Sequence, residues 1–289
     1  MATSGMLPPP PPLSDHEPWS EKDFAAIVAF LRHQIGITLE PHRMGLLQAR
    51  LRSRVQVKGF SSFCQFHEQV LRNDPSGWGA QLLIDLSTVN HTSFFREPAH
   101  FVFLSEHVSA SLKDAPTSTV RLWSAGCSSG QEPYSMAMSL AEALPPHGLA
   151  KVEIWACDLS LEMLRVAASA IYDTRDVEGV SPARLRRFFL LGRGPREGSF
   201  RIVPEIRDLV KFRHLDLRNT IWALPNDFHV IFCRNVSIYF AEEERLVLLN
   251  RLSQQLRPGG WLVMGNGEIL RSVPASLRKH SPSLYQREA

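Results

Sequence analysis

From Val120 onward the sequence alternates short, uniformly apolar runs with helical stretches, and no other feature limits the fold as tightly. Runs at 120–124, 152–156, 230–233 and 261–264 are apolar along nearly their whole length, and helical patterns occupy 134–144, 161–171 and 242–256 between them. Strands of that kind are buried on both faces, which calls for a mainly parallel sheet with helices on either side. The alternation breaks at about 193–210, where Gly192, Gly194, Pro195 and Gly198 stand beside short extended pieces. A small β-hairpin excursion is expected there.

The 289 residues leave room for a second, smaller domain. Residues 19–90 read as helices, with Phe24, Ile27, Val28 and Leu31 at helical spacing and Pro41 at the first turn of a second helix reaching Lys58. A third helix opens at Ser62, and a fourth spans roughly 78–89. Residues 1–18 hold six of the twenty prolines and read as an extended, solvated tail, with docking to a proline-binding domain as its other use. The expected domains are therefore a tail at 1–18, a helical domain at 19–90 and an α/β domain at 91–289. Hydrophobic residues at 44% and charged residues at 21% exclude a disordered or fibrous chain. No run approaches the ~18 apolar residues of a membrane span, and no secretory leader is apparent. The four cysteines are scattered without metal or disulfide spacing, so reduced thiols in a cytoplasmic protein are expected. A net charge of +3 argues against a dedicated nucleic-acid binder.

Three segments carry chemistry. The first strand runs into Ser124-Ala125-Gly126-Cys127-Ser128-Ser129-Gly130 and a helix, a glycine turn that lets backbone approach a ligand. It lacks the Gly-Lys-Ser/Thr of a phosphate loop and the middle glycine of G-x-G-x-x-G, so a structural turn is the competing reading. The second run leads to Asp158, an acid placed to accept both hydroxyls of a ribose or to cap the next helix, a task Ser160 shares. Together they point to a nucleoside ligand without phosphates, of which S-adenosylmethionine is one. The third strand leads into Arg234-Asn235-Val236, polar residues that project into the crevice. The Asn/Asp-Pro-Pro-aromatic motif of amino-methylating enzymes is missing there. Asn90-His91-Thr92-Ser93-Phe94-Phe95-Arg96-Glu97 reads equally as a lid or as a linker burying Phe94 and Phe95. His100 and His107, seven residues apart, are too distant to chelate and read as structural; no metal is expected.

The three segments 90–97, 123–135 (W-S-A-G-C-S-S-G-Q-E-P-Y-S) and 233–240 (C-R-N-V-S-I-Y-F), with Gly36-Ile37 and the later Leu46-Leu47-Gln48-Ala49-Arg50-Leu51, resemble the chemotaxis-receptor glutamate methyltransferases, the CheR family. The resemblance covers about residues 20–285. It implies a class I S-adenosylmethionine-dependent methyltransferase fold, Rossmann-like, with an N-terminal helical domain and a small β-subdomain. It implies that Asn90, Thr92, Arg96 and Glu132 line the methionine side of S-adenosylmethionine, that Asp158 holds the ribose, and that Asp216, Leu217, Arg234 and Asn235 surround the adenine and nearby backbone. Three positions depart from the family: Asp216 replaces a common Asn, Gly265-Asn266-Gly267-Glu268 replaces Gly-His-Ser-Glu, and Gln131 replaces the first acid of Glu-Glu-Pro-Tyr-Ser.

The activity so implied is glutamate γ-methyl ester formation on chemoreceptors. A glutamate is already an anion at neutral pH, so attack on a sulfonium methyl needs geometry and desolvation rather than a general base. Arg96 and Tyr239 are the candidates for orienting the acceptor carboxylate. Arg43, Arg50 and Arg54 fall within about 40° of one another on the second helix, a basic stripe suited to an acidic receptor helix. Arg193, Arg196 and Arg201 make the excursion basic, and similar hairpins in relatives add a receptor C-terminal peptide as a strand. The competing functions are a same-fold carboxyl methyltransferase for another protein or a small acid, and a non-catalytic module that senses S-adenosylmethionine.

Overall fold

The computed structural model describes residues 77–87, 91–115, 117–268, 270 and 272–288, with isolated positions at 25, 28–32, 45, 47 and 68. The chain forms two compact units, Met1–Val89 and Asn90–Ala289. In the first, helix α1 (Trp78–Ser87) buries Leu82, Leu83, Ile84 and Leu86, and Gln81 Nε2 donates to Asp85 Oδ1 one turn on at 3.0 Å. The proline tail and the arginine stripe of Arg43, Arg50 and Arg54 lie outside the described residues.

The second unit is built on a seven-stranded sheet in the order β6-β2-β1-β7-β8-β10-β9. Its strands are β1 (Val120–Ala125), β2 (Val152–Asp158), β6 (Val210–His214), β7 (Phe228–Cys233), β8 (Leu256–Met264), β9 (Leu277–Lys279) and β10 (Leu284–Arg287). The pairs from β6 through β8 are parallel, and β10 inserts antiparallel between β8 and β9. Apolar side chains partition by alternation. Leu122, Ile154, Val230, Phe232 and Val263 enter one core layer, while Trp123, Cys157, Ile231, Cys233 and Leu262 enter the other. Helices α2 (Ala99–Asp114) and α3 (Gln131–Ala143) cover the first layer. Helix α3 stops at Leu144, before Pro145 and the short α4 (Pro146–Leu149). After β2, α5 (Leu161–Ser169) starts on Ser160, whose Oγ accepts from Met163 N–H at 3.1 Å. On the other layer, α8 (Glu242–Gln255) contributes Leu248, Leu249 and Leu252. The doubly covered parallel sheet expected from the sequence is thus present.

The β-subdomain is larger and earlier than the 193–210 excursion expected. It is a three-stranded antiparallel sheet, β3-β5-β4, made of β3 (Ile171–Asp173), β4 (Phe189–Leu191) and β5 (Ser199–Ile202). Helix α6 (Pro182–Phe188) lies between β3 and β4, and α7 (Pro204–Arg207) returns the chain to the main sheet. Val210, placed at the end of the excursion by sequence, instead starts β6. Strands of three residues are too short to show a period, so Ile171 reads with the preceding helical pattern and β4 carries no signal in the sequence.

Candidate active site

β1 pairs with β2 on one side and with β7 on the other, so the loops leaving β1 and β7 part and open a crevice beyond the carboxyl ends of the strands. The loop after β1 folds over the end of β2: the N–H groups of Gly126 and Cys127 both donate to Cys157 O, at 2.8 and 2.9 Å. Gly126 has φ +87°, and a Cβ there would fall 2.3 Å from Val236 Cγ2 in the loop after β7. Ser128, also left-handed, donates its N–H to Asp158 Oδ2 at 2.8 Å, and Ser160 N–H donates to Asp158 Oδ1 at 2.8 Å. Asp158 therefore clamps the glycine loop, while the cap of α5 is Ser160. A carboxylate can accept four hydrogen bonds, so these bonds and bonds from a ribose are compatible. Leu215 N–H donates to Asp158 O at 3.1 Å, which brings the Asp216–Leu217 stretch to the same edge of the crevice.

Deeper in, a buried ion cluster joins three segments. Glu132, in the first turn of α3, accepts from Ser124 Oγ at 2.7 Å and from Arg234 Nη1 at 3.1 Å. The Arg234 side chain is 2% exposed; its Nη2 also reaches Glu97 Oε2 at 3.1 Å and donates to the Arg96 carbonyl. Its guanidinium lies over the Phe101 and Phe232 rings. Burial raises the Glu132 pKa, opposed by the Arg234 charge and the Ser124 hydrogen bond and assisted by the Glu97 charge. His100, which hydrogen-bonds Ser283 Oγ at 2.9 Å, is held neutral by burial and the Arg234 charge, its pKa lowered to about 4. Burial likewise pushes up the Cys127, Cys157 and Cys233 thiols, so none is a nucleophile at neutral pH.

A second carboxylate holds the loop after β7. Glu268, 4% exposed, accepts from Asn235 N–H (2.7 Å), Ser237 N–H (2.9 Å), Ser237 Oγ (2.7 Å) and Gly265 N–H (2.8 Å). Asn235 is thereby kept at φ +60°, an unusual conformation for a residue other than glycine. Glu97 and Glu268 are site residues that sequence reasoning misses, although each stands within a motif; the available signal is an acid within a few residues of an apolar strand or aromatic pair.

The other sequence candidates divide. Thr92 is half-buried and lines, with His91, Ser93 and the loop from Asp173 to Gly179, a cleft of about 680 Å³. Arg96 is half-buried, its Nη1 donating to His91 O at 3.2 Å. Phe94 and Phe95 are core residues, packed against Tyr172 and Phe101 respectively, so the two rings are buried and are not a lid. Leu217 is buried, but the Asp216 carboxylate turns to Arg218, with Oδ2 2.5 Å from Nη2. Asn90 and the Tyr239 side chain lie outside the described residues. His107 stacks on Phe103 and meets the edge of Trp261, a packing role as expected.

Acidic groups dominate this crevice: Asp158, Glu132 and Glu97 against buried Arg234. Such a lining repels phosphates and suits a nucleoside that carries positive charge, as S-adenosylmethionine does in its sulfonium and ammonium groups. Residues 90–285 match the family described as CheR methyltransferase, SAM binding domain, and residues 22–85 match CheR methyltransferase, all-alpha domain. The chain belongs to the CheR methyltransferase family. Among its relatives are chemotaxis protein methyltransferases of Klebsiella aerogenes (33% identical, covering 93% of this chain and 90% of the relative), Escherichia coli (35%, 92% and 91%) and, as number 1 of its kind, Pseudomonas aeruginosa (36%, 87% and 92%). Like other CheR methyltransferases, this one uses S-adenosylmethionine as methyl donor. Among the described residues no helix is long and apolar enough to cross a membrane.

Proposed function

We propose that this CheR methyltransferase esterifies glutamate side chains of chemoreceptors, forming γ-methyl esters. The observation that carries this reading is the loop after β7. There Cys233-Arg234-Asn235-Val236 directs a buried guanidinium to Glu132 and a backbone clamp to Glu268, with no proline-aromatic pair to seat an amine or amide nitrogen. A carboxylate acceptor is consistent with that arrangement, since it arrives ionised and asks for no base.

S-adenosylmethionine, when bound, supplies a methyl group activated on a sulfonium. Glu132, fixed by Ser124 and Arg234, is the acceptor for the ammonium of its methionine end, with Asn90, Thr92 and Arg96 beside it. Asp158 receives the ribose; Asp216 (through its backbone), Leu217 and Asn235 receive the adenine. Arg234 acts on the cofactor through Glu132. Arg96 and Tyr239 orient the acceptor carboxylate so that one oxygen is held and the other points in line at the methyl group. Receptor helices rich in Glu and Gln are drawn to the stripe of Arg43, Arg50 and Arg54. The β-subdomain offers a second hold for a receptor C-terminal peptide, with β4 at its edge and Arg201 between Ile171 and Leu190 on β5.

The test is transfer of labelled methyl from S-adenosylmethionine to receptor-bearing membranes, read as volatile methanol after mild base. Base-labile label at glutamates is the expected result. Label that survives mild base would sink the ester assignment, and bound cofactor with no transfer would favour a sensing module.

A further inference from the structure

The ion cluster under the crevice is out of balance. Glu132 and Glu97 share one guanidinium, Arg234, at 3.1 Å each. Their side chains are 12% and 16% exposed and that of Arg234 is 2%, so bulk water compensates little. Arg96 apart, the other titratable groups facing the cluster bring no cation. His100 on α2, whose Nδ1 is 3.3 Å from Glu97 Oε2, is neutral, and the thiols of Cys127 in the glycine loop and Cys233 on β7 stay protonated. Arg96 directs its guanidinium to the His91 carbonyl. Glu97 itself sits at φ +58° and accepts from Asn266 N–H at 3.2 Å, so the backbone of two loops holds it against Arg234.

We infer that Glu97 is a positioning residue: by taking half of Arg234 it leaves the cluster one negative charge in excess, and that excess is what draws the cationic end of S-adenosylmethionine to Glu132. This rests on the cofactor placement given above. Two consequences distinguish it from a role in folding alone. In the free enzyme burial and the Glu97 charge raise the Glu132 pKa, against the Arg234 charge and the Ser124 hydrogen bond. An ammonium beside Glu132 favours the ionised carboxyl, so binding shifts that equilibrium towards proton release and affinity falls as pH drops through the Glu132 titration. Without the Glu97 charge, Arg234 serves Glu132 alone, the carboxyl ionises at lower pH, and the attraction for an ammonium weakens.

The experiment is calorimetric titration of the full chain and of Glu97→Gln with S-adenosylhomocysteine, which keeps the ammonium and does not react. It is run from about pH 5 to about pH 8, above the ordinary glutamate range. Glu97→Gln is expected to bind about tenfold more weakly at the upper end, with the acid limb of its affinity profile moved down by about one pH unit. An unchanged acid limb, whatever the melting temperature, overturns the inference. Should Glu97→Gln not fold, the native chain decides. Titrations in buffers of different ionisation enthalpy are expected to show net proton release on binding, and none at any pH in the range overturns it. Methyl ester formation enters neither readout, so an error in the acceptor assignment leaves this test intact.

Discussion

At the scale of single residues, the crevice depends on positions that never touch a substrate. Gly126 must be left-handed and bare, because a methyl group there would drive into Val236, the neighbour of Asn235. Gly126→Ala is expected to cost about 2 kcal/mol or more through backbone strain and overpacking, measured by urea unfolding, and to weaken cofactor binding in the protein that remains folded. Glu268→Ala strands the N–H groups of Asn235, Ser237 and Gly265, the last two buried and the first half-buried. An expected loss of about 3 kcal/mol follows from three unpaired donors, two of them buried, again read by denaturant titration. A loss below about 1 kcal/mol would mean that water or another side chain takes over the clamp.

At the scale of elements, the small sheet and the glycine loop are one mechanical unit. Tyr172 on β3 donates its hydroxyl to Ser129 O at 2.8 Å, and Tyr134 on α3 donates to Ala167 O at 2.8 Å on α5. Tyr172→Phe should lower stability by only about 1 kcal/mol while slackening the loop, visible as faster amide exchange at 126–130. Such ties explain what could be read in advance and what could not. Strands β1, β2 and β7 were legible because they run six or seven residues and are mostly apolar. Glu132, Asp158 and Asn235 were legible because they follow those strands directly. Strand β4 was not, since three residues ahead of Gly192 carry no period, and neither was the turn of Asp216 towards Arg218, because an acid two residues before an arginine reads the same whether it is paired or open. Glu97 and Glu268 escaped for a related reason: their partners come from loops 137 and 33 residues away (Arg234 and Asn235), and spacing within one segment says nothing about such distances.

At the scale of the whole molecule, two neutral histidines make stability depend on acid. His100 and His229 both have pKa values lowered to about 4 from an ordinary 6.5, chiefly by burial. The unfolded chain therefore takes up protons that the folded chain refuses, so stability is full above about pH 6.5 and declines as pH falls towards about 4. Melting temperatures measured across that window should drop steadily, and His229→Gln should flatten part of the slope. His100 has a further partner in Ser283, which immediately precedes β10. That strand is interior, wedged between β8 and β9, although it is translated after both. A ribosome making this chain releases the glycine loop, Asp158, Glu132 and Arg234 well before the strand that completes the sheet beside them. Between residue 235 and residue 284 the nascent enzyme holds these groups and lacks the wedge that closes the sheet. A chain stalled before residue 284 carries the glycine loop, Asp158, Glu132 and Arg234 beside a sheet that lacks its wedge.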